Sequence, residues 1–277
     1  MVKTSISTAI FISAALGTKS EYELEKVIPH LKSLGYEGIE ILPYDPLQIN
    51  VSSVKNILRD QMEISAIATG AISFNYKATL LDLEESKRLV SLNLLERYID
   101  LAYELEAANV LIGSVIGKIK SKENRTDSTK WLVEGLRRSC EYARKLGVTL
   151  AIEPINRYER NFLNTVEEGL NIIKLVNSDN IHLLLDTFHM NIEERSIEYA
   201  IKIAGEEVVH VHVADSNRWP PGYGHLDFES IINALNEIGY DGYLSIECLP
   251  KPDLDTALRK SIDNLKYIIA ITDKDSK

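Results

Sequence analysis

Short apolar runs alternate with amphipathic stretches along the whole chain. The runs Thr4–Ile12, Gly38–Leu42, Ile64–Thr69, Val110–Ile116, Val148–Ile152, Ile181–Leu185, Val208–Val213 and Tyr243–Ile246 are nearly uninterrupted. Such runs, bounded by turn residues, predict strands buried on both faces. Between them, helical periodicity predicts helices over Glu21–Leu34, Val51–Gln61, Glu85–Glu106, Ser128–Leu146, Thr165–Val176, Ser196–Ala204, Phe228–Ile238 and Asp255–Ile269. Gly35, Gly147, Gly205 and Gly239 stand where helices stop. Gly70–Leu83 and Gly117–Arg125 read as loops, and the charged tail from Thr272 as frayed.

Eight strands joined by eight helices predict a parallel α/β sheet, because each helix is a crossover. At roughly 35 residues per unit, residues 1–277 suit a single (β/α)8 TIM barrel in one domain. The alternative is an open doubly wound sheet. No G-x-G-x-x-G follows the first strand, which counts against a dinucleotide fold. A weak repeat agrees with stacked βα units: Leu34–Glu40, Leu146–Glu153 and Ile238–Glu247 each run from a helix-ending Gly through a strand to Glu.

Composition narrows the picture. The 277 residues are 45% hydrophobic and 26% charged, as suits a large globular core. A net charge of -10 argues against a nucleic-acid partner, and the short basic segment Lys118–Arg125 reads as a solvated loop. Cys140 and Cys248 lack CxxC spacing and read as reduced thiols of a cytoplasmic protein. Polar residues interrupt the apolar N-terminus, so a first core strand is preferred to a signal peptide. No run approaches the roughly 18 apolar residues of a membrane span.

Four of the predicted strands end in groups able to bind a cation: Glu153, Asp186, His212 and Glu247. In such barrels chemistry sits at the strands' C-terminal ends. Three carboxylates and one imidazole suit one divalent metal ion, Mn²⁺ first, with Co²⁺ or Mg²⁺ as alternatives, rather than structural zinc. His210 lies on the same strand face as His212 but one layer deeper, and is expected to be a hydrogen-bonded core residue. His189, placed in the loop after the sixth strand, is within reach of a substrate oxygen. His30 is expected on an exposed helix face.

The blocks Glu153-Pro154-Ile155-Asn156-Arg157-Tyr158-Glu159, Leu185-Asp186-Thr187-Phe188-His189-Met190-Asn191 and His210-Val211-His212, with Asn217-Arg218-Trp219-Pro220-Pro221-Gly222, resemble the ketose 3-epimerases of the D-tagatose and D-psicose type. The wider likeness is to xylose-isomerase-like barrels. Ala214–Trp219 and Ser245–Pro250 look closer to the 5-keto-L-gluconate epimerase branch. The tagatose type usually carries a Gly-Glu-containing sequence just after the metal histidine, where this chain has Ala214-Asp215-Ser216.

The resemblance implies a metal-dependent epimerase that inverts the carbon beside a ketone through an enediolate. It implies Glu153, Asp186, His212 and Glu247 as ligands, and Glu153 and Glu247 as the acid/base pair. Glu159, His189 and Arg218 are implied to contact a small keto-sugar or keto-acid, in a homodimer or homotetramer. Two carboxylates on opposite faces can remove and return a proton once the ketone is polarised. Competing readings are an aldose–ketose isomerase of the hydroxypyruvate or xylose type, an apurinic-endonuclease-like nuclease, and a barrel kept for binding alone.

Overall fold

The computed structural model describes residues 7–12, 20–120 and 125–275. Eight parallel strands close into a barrel in chain order: β1 (Ser7–Ile12), β2 (Gly38–Ile41), β3 (Glu63–Ala68), β4 (Asn109–Ile112), β5 (Thr149–Ile152), β6 (Ile181–Asp186), β7 (Val208–Val213) and β8 (Tyr243–Ile246). The closing pair is β1 with β8, Ser7 opposite Tyr243. Thr4–Ser5–Ile6 of the expected first strand lie outside the described residues, as do Ser121–Asn124 of the expected loop.

The helices are α1 (Ser20–Leu34), α2 (Val51–Leu58), α3 (Ala71–Asn75), α4 (Glu85–Leu105), α5 (Arg125–Leu146), α6 (Val166–Val176), α7 (Thr187–Glu193), α8 (Ile197–Ala204), α9 (Phe228–Glu237) and α10 (Leu254–Asp275). The expected crossovers are all present, and four details differ. The Gly70–Leu83 loop contains α3. Residues after Asp186 form α7 instead of a loop. The fourth strand stops at Ile112, because Gly113 leads into a 3₁₀ turn over Ser114–Ile116. The last helix continues to Asp275, with Thr272 buried, so the tail is helical beyond Ile269.

Two apolar layers hold the barrel. The larger fills the space between strands and helices and includes Leu95, Ile99, Leu136, Ile152, Leu183, Ile232 and Leu265. The smaller lies inside the barrel and is built of Ala66, Ala68, Leu111, Ala151 and Leu184. Three of those five are alanines. The small side chains leave interior volume for buried polar groups, Glu40, His210 and Ser245, all fully inaccessible. Register shifts occur at Ile39/Glu40 against β3 and at Leu183/Leu184 against β7. Each bulge falls beside a strand carrying one of these polar groups, and bulges commonly re-aim side chains near sites.

Helix ends follow the glycine pattern. Gly35, Gly147 and Gly239 have φ of 92°, 69° and 73°. A Cβ on Gly147 would meet nothing within 4 Å, so only backbone strain opposes a side chain there. Gly147→Ala is therefore expected to lower unfolding free energy by about 1–2 kcal/mol. Reversible denaturant unfolding measures this, and an unchanged midpoint would contradict it.

Candidate active site at the barrel mouth

Side chains from four consecutive strand ends converge on one point. Glu153 follows β5, Asp186 ends β6, His212 lies in β7, and Glu247 follows β8. One ligand atom from each lies within 4.8 Å of all the others. The parallel ladder continues past the strand ends, since Glu153 N donates to Ile112 O and Glu247 N to Val213 O. Gly113 makes room for this: a Cβ there would come within 2.2 Å of Glu153 Oε2.

The cluster carries excess negative charge. Two carboxylates 4 Å apart repel by about 4 kcal/mol even at an effective dielectric near 20. Burial pushes the Glu153 carboxyl well above its usual range, and Glu247 and Asp186 add to this against the pull of His212. Burial likewise raises Asp186, opposed first by His189. Glu247 goes the other way: His212 and Arg218 outweigh its burial and lower it. Asp186 uses Oδ1 to cap α7, accepting from Phe188 N at 2.7 Å and His189 N at 3.3 Å. Its Oδ2 is buried with no hydrogen-bond partner. A buried carboxylate oxygen left so is costly unless a cation meets it. The donor set, the orphaned oxygen and the charge excess all fit a divalent cation.

His212 is aimed by Glu40 from across the barrel. Glu40 Oε2 lies 2.8 Å from His212 Nε2 and 3.0 Å from His210 Nε2. A carboxylate only accepts, so both imidazoles carry their proton on Nε2. That turns His212 Nδ1 to the cluster, 3.1 Å from Glu247 Oε2 and 3.8 Å from Glu153 Oε1. Burial alone would raise the Glu40 carboxyl, but the two histidines, His212 foremost, bring it down to about 2.

Three further side chains rim the cluster. His189, on α7, places Nε2 at 3.7 Å from both Glu153 Oε1 and Asp186 Oδ2. Arg218 donates from Nη1 to Glu159 Oε1 and from Nη2 to Glu247 Oε1, both at 3.2 Å, and lies over the Phe188 ring. Its backbone is left-handed, φ 61°, an uncommon state for a non-glycine residue. Asp215 holds that turn. It is fully buried and accepts from the backbone N–H of Ser216, Gly222 and Leu226, while its own carbonyl accepts from Arg218 N. Trp219 is half-buried, tilted against Tyr223.

The family model described as "Xylose isomerase-like TIM barrel" matches residues 28–268. The chain belongs to this family. An L-ribulose 3-epimerase of Methylomonas sp. is 32% identical over 242 residues, covering 86% of this chain and 82% of that protein. A 3-dehydro-D-guloside 4-epimerase of Escherichia coli is 27% identical over 225 residues, covering 79% and 84%. Among solved structures, an L-ribulose 3-epimerase superposes with a TM-score of 0.87 at 26% identity, covering 98% of this chain and 97% of that one. With these relatives, the chain is an isomerase-class enzyme, a carbohydrate epimerase.

Within this family member the structure brings together all seven residues singled out from the sequence: Glu153, Asp186, His212, Glu247, Glu159, His189 and Arg218. His210 is the buried, hydrogen-bonded residue expected of it. His30 lies on α1 as expected, with its side chain 37% exposed, and it pairs with Asp255 at 2.9 Å. In the sequence alone, Glu40, Asn156 and Gly113 carry no evident role. Glu40 did carry a signal: it closes the first copy of the Gly–strand–Glu repeat whose other two copies close at Glu153 and Glu247. Glu40→Gln is expected to weaken Mn²⁺ binding about tenfold, as loss of a partner behind a ligating imidazole does. Titration calorimetry reads the affinity and circular dichroism checks the barrel; unchanged affinity would show that Glu40 does not orient His212.

Proposed function

We propose that this protein is a divalent-metal-dependent epimerase that inverts the carbon next to the ketone of an uncharged keto-sugar. The observation that carries the reading is the convergence of Glu153 and Glu247, from β5 and β8, on one four-group cluster rimmed by His189, Glu159 and Arg218. Relatives named as 3-epimerases and as a 4-epimerase of a 3-dehydro sugar share inversion beside a ketone.

A divalent cation held by Glu153, Asp186, His212 and Glu247, Mn²⁺ before Co²⁺ or Mg²⁺, would supply the Lewis-acid polarisation that acidifies the C–H bond. The chain's own residues do the rest. One of the two glutamates takes the proton from the carbon beside the ketone, and the bonding pair passes toward the carbonyl oxygen. The other returns a proton to the opposite face, so nothing is oxidised or reduced. Burial raises the Glu153 carboxyl, while His212 and Arg218 lower that of Glu247, so the two glutamates sit in unlike surroundings. Their placement after β5 and β8, three strands apart around the ring, lets them flank a substrate and supports one acid and one base within the pair.

The charge balance supports an uncharged substrate. Glu153, Asp186, Glu247 and Glu159 bring four negative charges, against Arg218 and a divalent cation. Arg218 is already paired with Glu159 and Glu247, so it is poorly placed to clamp a keto-acid's carboxylate. The Ala214-Asp215-Ser216 segment, which resembles the keto-acid branch, has its carboxylate turned into its own loop. It therefore speaks to loop architecture and not to substrate charge.

Incubating the Mn²⁺-loaded protein with free ketoses and keto-acids in D₂O is the test. Deuterium is expected at the inverted carbon of a free ketose. Glu247→Gln is expected to cut this exchange at least about 100-fold. Exchange surviving chelation, or confined to keto-acids, would overturn the metal dependence or the substrate class respectively.

A further inference from the structure

We infer that Asn156 is a positioning residue that sets the tautomer of His189, so that a single N–H donor faces the substrate space with the Glu159 carboxylate held beside it. Asn156 is 1% exposed and sits at the turn that follows β5. Its Oδ1 accepts from two backbone donors, Tyr158 N at 3.0 Å and Glu159 N at 3.2 Å. Backbone N–H groups cannot accept, so the amide cannot be flipped, and the NH₂ must point the other way.

That NH₂ meets two acceptors. One is Glu159 Oε1 at 3.2 Å, and the other is His189 Nδ1 at 2.7 Å. Two lone pairs and two hydrogens are thereby all used, so this amide is saturated. Because the amide donates to Nδ1, Nδ1 is the bare nitrogen, and the ring proton resides on Nε2. His189 cannot swing away, since it is 3% exposed and its backbone N–H is fixed to Asp186 Oδ1. At 3.7 Å, Glu153 Oε1 and Asp186 Oδ2 are both too far to take that proton in a hydrogen bond. The Nε2–H therefore remains available to a substrate hydroxyl or carbonyl oxygen. The same amide holds Glu159 against Arg218, so one side chain places both a donor and an acceptor on the site's rim.

The tautomer can be read without turnover. Long-range ¹H–¹⁵N correlation on the Mg²⁺-loaded protein reports which ring nitrogen is protonated, with the His189 signals assigned by their loss in His189→Asn. The Nε2–H form is expected in the unaltered protein, and the Nδ1–H form there would overturn the inference with no variant needed. In Asn156→Asp a carboxylate oxygen replaces the NH₂ facing His189, and the ring is expected to switch to Nδ1–H. With the donor lost, kcat/KM for the keto-sugar is expected to fall about 5- to 100-fold. A variant that retains the Nε2–H form, or that switches tautomer at unchanged kcat/KM, would refute the positioning role. Only the kinetic arm rests on the keto-sugar reading. If no keto-sugar is turned over, that reading fails while the tautomer measurement still judges Asn156.

Discussion

Mutual repulsion among three carboxylates at the mouth of a closed barrel is the constraint on which the rest of the site depends. Glu153, Asp186 and Glu247 are brought together because β5, β6 and β8 must end at the same rim once the barrel closes. Their like charges oppose that proximity. The barrel's apolar layers, far larger than the site, hold the strand ends in place and so enforce it. The surrounding polar groups are arranged to make the enforced geometry tolerable: Arg218 lies against Glu247, His212 lies between Glu247 and Glu153, and one oxygen of Asp186 is spent on a helix cap.

The same constraint explains why polar groups reach so deep. A TIM barrel interior is ordinarily filled with branched apolar side chains. Here alanines on β3 and β5 leave room for Glu40 and His210 beneath the mouth. Glu40 is expensive to bury but receives two N–H donors on one oxygen, which offsets the desolvation and orients His212. Two register shifts, at Glu40 and opposite His210, show the sheet adjusting locally to seat this pair. Polar support from below and charge pairing from above thus act on the same imidazole.

Two buried side chains, Asp215 and Asn156, organise the loops at the rim. Asp215 gathers the backbone of the loop after β7 and supports the left-handed residue Arg218. Asn156 gathers the turn after β5 and joins it to α7 through His189. Loops built this way present few side chains but present them rigidly, which favours orientation of a small substrate.

The sequence alone determined the barrel, because eight apolar runs spaced by amphipathic helices admit few other packings, and glycine stops mark the helix ends with little ambiguity. It also determined the ligand candidates, since a carboxylate or imidazole closing a buried strand is chemically conspicuous wherever it stands. Short elements such as α3 and α7 escaped it: five to seven residues carry too little periodicity, and α7 exists because Asp186 caps it. Relations across the barrel escaped it as well. Glu40 lies 172 residues from His212 along the chain, and no spacing rule connects them. Asn156 stood inside a conspicuous motif, yet its task appeared only when two backbone donors fixed its amide and left its NH₂ facing His189. Which atoms meet, and therefore which nitrogen holds a proton, is decided by closure of the barrel, because only closure sets distances between residues remote in sequence.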